Sequence, residues 1–376
     1  MPERSMSYLF SPITLRGLTL ANRVVVAPMC QYSAIDGVPN DWHLMHLGQF
    51  AVGGAGLVFT EATAVEPEGR ITPGCPGIHT DEQQASWERI ISFFRNYGAA
   101  KIGIQIAHAG RKASAHVPWE SGAPLSEADG AWRTVSASAL PYADGWHTPH
   151  ALSGNDLAQL KTAFVEATHR AVAAGFDVIE LHAAHGYLMH QFLSPISNQR
   201  SDAFGGDLAE RMAFPLEVFE AMRIAAGDTP LGVRISATDW VDDSSWTIKE
   251  STAFCSELKA RGCDFIDVSS AGNSPQQKIA TGPGYQTGFA QAVRETTQLP
   301  VMAVGQITNA LQAETILATG QADMVALARG MLLDPRWAWH AAEALGEAAT
   351  FPPQYARSGP ALRGEPIPGN PPKAAD

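Results

Sequence analysis

Two histidines and a tyrosine stand within six residues, His182-Ala-Ala-His185-Gly-Tyr187. Imidazoles three residues apart could bind a metal, brace the fold, or donate hydrogen bonds to one substrate oxygen. Gly186 permits a sharp turn that brings Tyr187 to the same rim. A phenol, with a reference pKa of about 10, is protonated at neutral pH and can act as a proton donor. The metal alternative, a barrel hydrolase using His182 and His185, needs a third ligand, and the H-x-H of such enzymes is absent from the first apolar run. A second H-x-x-H, His43-Leu-Met-His46, lies in a helical stretch and reads as structural. Spacing alone leaves the roles of His182 and His185 open.

Polar residues inside apolar runs are the next signal, because burial without a partner is costly. Gln105 and Arg234 sit near the C-terminal ends of two such runs. One alternative pairs Arg234 with a core carboxylate such as Glu180 and gives Gln105 to backbone groups. The other is a flavin, whose pyrimidine edge offers C=O and N–H groups and whose reduced ring carries negative charge. Further on, Gly305 and Ala328-Arg329-Gly330 close two runs in positions that suit a phosphate. The chain has neither G-x-x-x-x-G-K-[ST] nor a strand-linked G-x-G-x-x-G, so a single phosphate site favours FMN over FAD.

These side chains need a scaffold, and the runs themselves supply one. Apolar, β-branched stretches recur at residues 23–28, 56–61, 101–107, 177–182, 231–236, 265–270, 301–305 and 324–329. Such continuous runs read as strands buried on both faces, hence a parallel sheet. Helical patterns lie between them. The clearest spans residues 155–174, with the cap-rich Ser153-Gly154-Asn155-Asp156 before it and Gly175 after it. Eight strands alternating with helices predict a (β/α)8 barrel. Residues 12–20, with Gly17 at the centre, read as a hairpin closing the barrel bottom. Residues 111–154, rich in Pro, Trp, Ser and His, form a lid inserted after the third strand. The expected organisation is one barrel domain over residues 1–350 and a tail over 351–376.

Composition narrows the function classes. A net charge of −12 argues against a nucleic-acid or anionic-membrane partner. The four cysteines form no C-x-x-C pair, and no run approaches the roughly 18 apolar residues of a membrane span. A soluble, cytoplasmic protein is the expectation.

Four longer motifs carry a resemblance. Pro28-Met-Cys-Gln-Tyr32, Gln105-Ile-Ala-His-Ala-Gly-Arg111, His182-Ala-Ala-His-Gly-Tyr-Leu188 and Ser197-Asn-Gln-Arg-Ser-Asp-Ala-Phe-Gly-Gly206 together resemble the old yellow enzyme family. The likeness runs from Leu9 to about Arg357, and Cys30 with Tyr32 is similar to the thermophilic-like bacterial branch. The resemblance implies FMN as cofactor, NADPH or NADH as transient reductant, and reduction of α,β-unsaturated carbonyl compounds. By position it implies that Ala27, Pro28, Met29, Cys30, Ala62, Gln105, Arg234, Ala328 and Arg329 contact FMN. Tyr32, His182, His185 and Tyr187 would line the substrate side, with Tyr187 as the proton donor. It also implies a homodimer or homotetramer in which Arg357 reaches a neighbouring subunit's site. Here Gln354-Tyr-Ala-Arg357 is followed by Ser358-Gly359 where the branch has Gly-Trp. Relatives that reduce dienoyl-CoA esters carry an iron–sulfur cluster, and no cysteine cluster for one follows the helical middle of this chain.

Overall fold

The computed structural model describes residues 7–358 apart from Asp243 and Ala356. Eight parallel strands close into a barrel: β3 Val24–Val26, β4 Leu57–Ala64, β5 Lys101–Ala107, β8 Val178–Ala183, β9 Leu231–Ser236, β10 Ile266–Ser269, β11 Val301–Ala303 and β12 Met324–Leu327. Two short strands, β1 Ile13–Leu15 and β2 Leu18–Leu20, pair antiparallel ahead of them. Strands β6 Val135–Ser136 and β7 His150–Ala151 form a small ribbon between β5 and the next helix. The barrel closes in the order β3-β4-β5-β8-β9-β10-β11-β12, with β12 paired to β3. This is the eightfold α/β barrel that the alternating runs predict.

Around it run α1 Asp41–Ala51, α2 Asp81–Tyr97, α3 Gly154–Ala174, α4 Leu188–Leu193, α5 Leu208–Ala226, α6 Ile248–Ala260, α7 Thr287–Thr297, α8 Ala310–Ala318, α9 Arg329–Leu333 and α10 Trp337–Leu345. Local chemistry explains their limits. Ser153 caps α3 by accepting from the Asp156 N–H while Asp156 reaches back, and Gly175 ends the helix at φ 92°. The same reciprocal box opens α2 with Thr80 and Gln83. His43 and His46 lie buried on α1, where His43 accepts from the Asn40 N–H and His46 packs edge-on against Phe50.

The expected hairpin is present, but its left-handed residue is Arg16 at φ 52° rather than Gly17. Leu15 and Leu20 from this hairpin join Val25, Leu57, Val178, Phe265, Met302 and Met324 in the apolar filling of the barrel floor. A larger core lies between the outer faces of the strands and the helices. Arg111 and Arg200 fasten the lid. Arg111 donates to the carbonyls of Leu140 and Pro141 in the lid and to that of Asn273 beyond β10. Arg200 donates to the carbonyls of Ala137 and Leu152. The tail docks on α10, with the Phe351 ring tilted against Trp339 at 4.6 Å and Arg336 lying over Tyr355 at 5.0 Å. Among the described residues, no helix is long and apolar enough to cross a membrane.

Candidate active site

Strand alternation decides which side chains face into the barrel. Gln105 on β5 lies beside Glu180 on β8, and Arg234 on β9 lies between His182 on β8 and Asp267 on β10. All five side chains are buried. Gln105 Nε2 donates to Glu180 Oε1 at 2.8 Å. Arg234 Nε approaches Asp267 Oδ2 at 3.1 Å, close enough for an ion pair but not aligned for a hydrogen bond. Of the alternative reading, Arg234 does pair with a core carboxylate, but Asp267 takes the place of Glu180, and the Gln105 side chain bonds Glu180 and not backbone groups. The reason is register, which sets Asp267 and not Glu180 directly beside Arg234.

This layer is short of partners. Glu180 Oε2, both oxygens of Asp267 and Arg234 Nε are buried with no hydrogen bond. Burial, and then the neighbouring Asp267 charge, push the Glu180 carboxyl up to about 8. Burial likewise raises Asp267, opposed by Arg234. One guanidinium faces two carboxyls, and the second carboxyl avoids charge by keeping a proton.

At the end of β8 stands His182, and the turn that follows carries His185 and Tyr187. His185 takes a left-handed φ of 57° and Gly186 one of 71°. A Cβ at Gly186 would stand 2.2 Å from the Gly272 carbonyl oxygen, so only glycine lets the two loops meet backbone to backbone. The His185 N–H donates to Ser236 Oγ at 2.8 Å, and Gly186 N–H to His190 Nδ1 at 2.9 Å. His182 Nδ1 accepts the Ala184 N–H at 3.2 Å, which leaves its proton on Nε2. His182 Nε2 lies 3.4 Å from His185 Nδ1, and His185 Nε2 lies 2.7 Å from Ser269 Oγ. Burial, then the Arg234 charge, hold both imidazoles well below the usual histidine range, so both are neutral at pH 7. The Tyr187 ring stands edge-on to His182 at 5.0 Å, and burial keeps its phenol protonated well past the usual value.

The remaining candidate residues gather on the same rim. Ala27 follows β3 and donates its N–H to Leu327 on β12. Pro28, Met29 and Cys30 continue from there, half-buried. Gln31 N–H donates to Glu61 Oε2, which holds this loop against β4. The Cys30 and Tyr32 side chains influence each other's proton affinity, and burial keeps the Cys30 thiol protonated. Tyr32 has a left-handed φ of 52° and meets the lid residue Trp119 at 5.7 Å. Ala62 on β4 lies beside Gln105 after a break in register at residues 59–62. A cavity of about 730 Å³ opens along Ser269, Gln286, Val304, Gly305, Ala328 and Arg329. Gly305 has φ 123°, and a Cβ there would fall 2.8 Å from Gln286 Nε2 and 3.0 Å from the Tyr285 ring. Arg357, by contrast, is exposed on the tail that docks on α10.

Three groups were missed in the sequence. Asp267 and Ser269 are buried polar residues of the apolar run Phe265-Ile-Asp-Val-Ser269, the same signal that singled out Gln105 and Arg234. Lys112 follows Arg111 in the aperiodic start of the lid, which gave no such signal. Its Nζ donates to the carbonyls of His185 and Gly272 at 2.9 Å each and lies 5.0 Å over the Tyr187 ring. Burial, and then Arg111, lower it to about 7.

Among the described residues, no group of three or more His, Cys, Asp or Glu is arranged to hold a metal ion. Residues 8–347 match the model of the NADH:flavin oxidoreductase / NADH oxidase family. The chain is 43% identical over 351 residues to an NADPH dehydrogenase of Geobacillus sp. (strain WCH70), covering 93% of this chain and 98% of that one. It is 40% identical over 351 residues to the NADPH dehydrogenase of Bacillus subtilis (strain 168), with the same coverage. Among solved structures, morphinone reductase superposes with a TM-score of 0.76 at 27% identity, over 92% of this chain and 91% of the other. A 2-naphthoyl-CoA reductase superposes with a TM-score of 0.81 over 90% of this chain but 52% of its own, at 21% identity, a likeness of fold alone.

Proposed function

Because the chain belongs to the NADH:flavin oxidoreductase / NADH oxidase family, and is thus a flavin oxidoreductase served by NAD(P)H, we propose that it binds FMN and reduces the C=C bond of α,β-unsaturated carbonyl compounds. The observation that carries this reading is the pair of neutral imidazoles 3.4 Å apart beside a protonated phenol, above a layer of unpartnered buried polar atoms.

The residues fit the cofactor. Arg234, Gln105 and the unpaired Glu180 oxygen offer hydrogen-bonding groups of the kind a pyrimidine edge needs. Ala27, Pro28, Met29, Cys30 and Ala62 give it a mostly apolar wall. Gly305, Ala328 and Arg329 line the cavity where one phosphate would be held. Bound there, FMN supplies hydride transfer between NADPH or NADH and the substrate.

The chain's own residues do the rest. His182 and His185 donate to the substrate's carbonyl oxygen, which draws electron density from the β-carbon. Tyr187 holds the proton on Oη and delivers it to the α-carbon. Tyr32 and the lid edge at Trp119 bound the space beside them. Lys112, held by two carbonyls, fixes the His185 turn and sets its amine over the Tyr187 ring. Arg357 would complete the site of a neighbouring copy in a homodimer or homotetramer. Removal of residues 351–376 with full activity retained in a strictly monomeric protein would end that part.

The test is a visible spectrum of the purified protein, identification of the released chromophore, and NAD(P)H oxidation with cyclohexenone. A yellow protein that releases FMN and oxidises NAD(P)H only when enone is supplied under anaerobic conditions is expected. A protein that stays colourless with added FMN, or is indifferent to enone, would refute the proposal.

A further inference from the structure

The tautomer of His185 is decided by a neighbour that the proposed chemistry does not use. Within the described site, His182 is fixed as the Nε2–H form, because its Nδ1 accepts the Ala184 N–H. That Nε2–H points at His185 Nδ1, 3.4 Å away. With nothing between the rings, His185 Nδ1 must be bare, since two N–H groups facing each other at that distance repel. Its single proton then sits on Nε2 and is donated to Ser269 Oγ at 2.7 Å. A carbonyl or phenolate oxygen bound between the rings reverses the requirement: it accepts from both, so His185 must carry its proton on Nδ1. Nε2 is then a bare acceptor, buried and in need of a donor. A hydroxyl can donate as well as accept.

We propose that Ser269 is a positioning residue whose hydroxyl lets His185 exchange tautomers, accepting from Nε2–H in the free site and donating to Nε2 when an oxygen binds between the imidazoles. The imidazole keeps one proton throughout. It leaves Nε2 and returns on Nδ1 by exchange with water, while the Ser269 O–H turns toward the ring. The alternative, a doubly protonated His185, is opposed by burial and by the Arg234, His182 and Lys112 groups around it. Ser269 is suited to the task by place: it is the last inward residue of β10, buried, and its backbone carbonyl is held by the Ala237 N–H. The role rests on the reading of the histidine pair as an oxygen-binding site.

The test uses holoenzyme labelled with ¹⁵N-histidine and, as the phenol, 4-nitrophenol at a pH where it is ionised and its oxygen can only accept. In the wild type, the His185 nitrogen resonances should report Nε2–H without phenol and Nδ1–H with it. Ser269→Ala should bind phenol about tenfold more weakly, the loss of one buried hydrogen bond, while Ser269→Thr, which keeps the hydroxyl, should stay within about twofold of wild type. A His185 that remains Nε2–H with phenol bound, or equal phenol affinity in the wild type and Ser269→Ala, would overturn the role of Ser269. Should Ser269→Ala not fold, the wild-type tautomer measurement decides alone. Phenol that binds normally to His182→Ala and His185→Ala would instead overturn the oxygen-binding reading, and the role of Ser269 with it.

Discussion

The floor and the upper interior of the barrel are built from the same strands and satisfied by opposite means. On the floor, Val25, Leu57, Val178, Phe265, Met302 and Met324 meet Leu15 and Leu20 of the hairpin, and packing alone completes them. One layer higher, Gln105, Glu180, Arg234 and Asp267 are equally buried, yet four of their side-chain atoms lack a hydrogen bond. Buried polar groups are seldom left so in a folded protein. The floor is closed by its own packing, whereas the upper layer keeps polar atoms to spare, which the proposed flavin would serve. The contrast also separates stability from chemistry along one strand: on β10, Asp267 and Ser269 belong to the site, and Phe265, just before the strand, belongs to the floor.

Tyr187→Phe should show the largest effect in the upper region and none below it. Enone reduction should fall by about 10²–10⁴-fold, roughly 3–5 kcal/mol of barrier, with NAD(P)H-driven flavin reduction nearly unchanged. Stopped-flow measurement of the two half-reactions checks this, and equal slowing of both would make Tyr187 a packing residue. The mirror experiment is Phe265→Ala on the floor. Its ring fills the space that a Cβ on Gly232 would need and sits 6.2 Å from Phe59. Unfolding should become easier by about 3–5 kcal/mol, independent of pH, while the surviving fraction keeps its flavin chemistry. Loss of flavin binding at full stability would break the division between the two regions.

Arg234→Met tests the polar layer itself. Removing the guanidinium beside Asp267 should loosen flavin retention and cost the stripped protein on the order of 3 kcal/mol at pH 7. That cost should shrink toward pH 5 as the Asp267 carboxyl, raised by burial, takes up a proton. A variant that unfolds while its folded fraction keeps normal flavin binding would make Arg234 purely structural. The smallest shift is expected for Glu180→Gln. The folded-state pKa of Glu180 is raised from 4.5 to about 8, so its stabilising protonation is complete below about 4.5 and lost as pH rises through 8. Thermal melts of flavin-stripped wild type should therefore decline between pH 5 and 8.5. Glu180→Gln should flatten that decline by on the order of 1–3 kcal/mol. Parallel pH profiles for the two proteins would mean that Glu180 is already ionised.

Much of this was legible in the chain order of residues. Strand runs, the α3 caps at Ser153, Asp156 and Gly175, and the His182–Tyr187 cluster are local patterns, set by side-chain periodicity and by hydrogen bonds within a few residues. The hairpin was legible as a hairpin, but its left-handed residue was not, because Arg16 bears a conformation usually given to glycine. Which carboxylate serves Arg234 was beyond reach. Glu180 and Asp267 both precede or follow it on neighbouring strands, and register chooses between them. Lys112 was equally hidden, since its carbonyl partners belong to loops 73 and 160 residues away in sequence.

The sequence by itself determined the strands and helices, the eightfold alternation, and the kinds of side chain that would crowd the C-terminal rim. Only the tertiary structure decided that two imidazoles face each other at 3.4 Å, that Ser269 stands behind one of them, and that Arg234 shares its layer with two carboxyls. The physical reason is range. Periodicity and capping act within one or two turns of chain, whereas hydrogen-bond partners, desolvation and protonation states are set by atoms that meet only when the barrel closes.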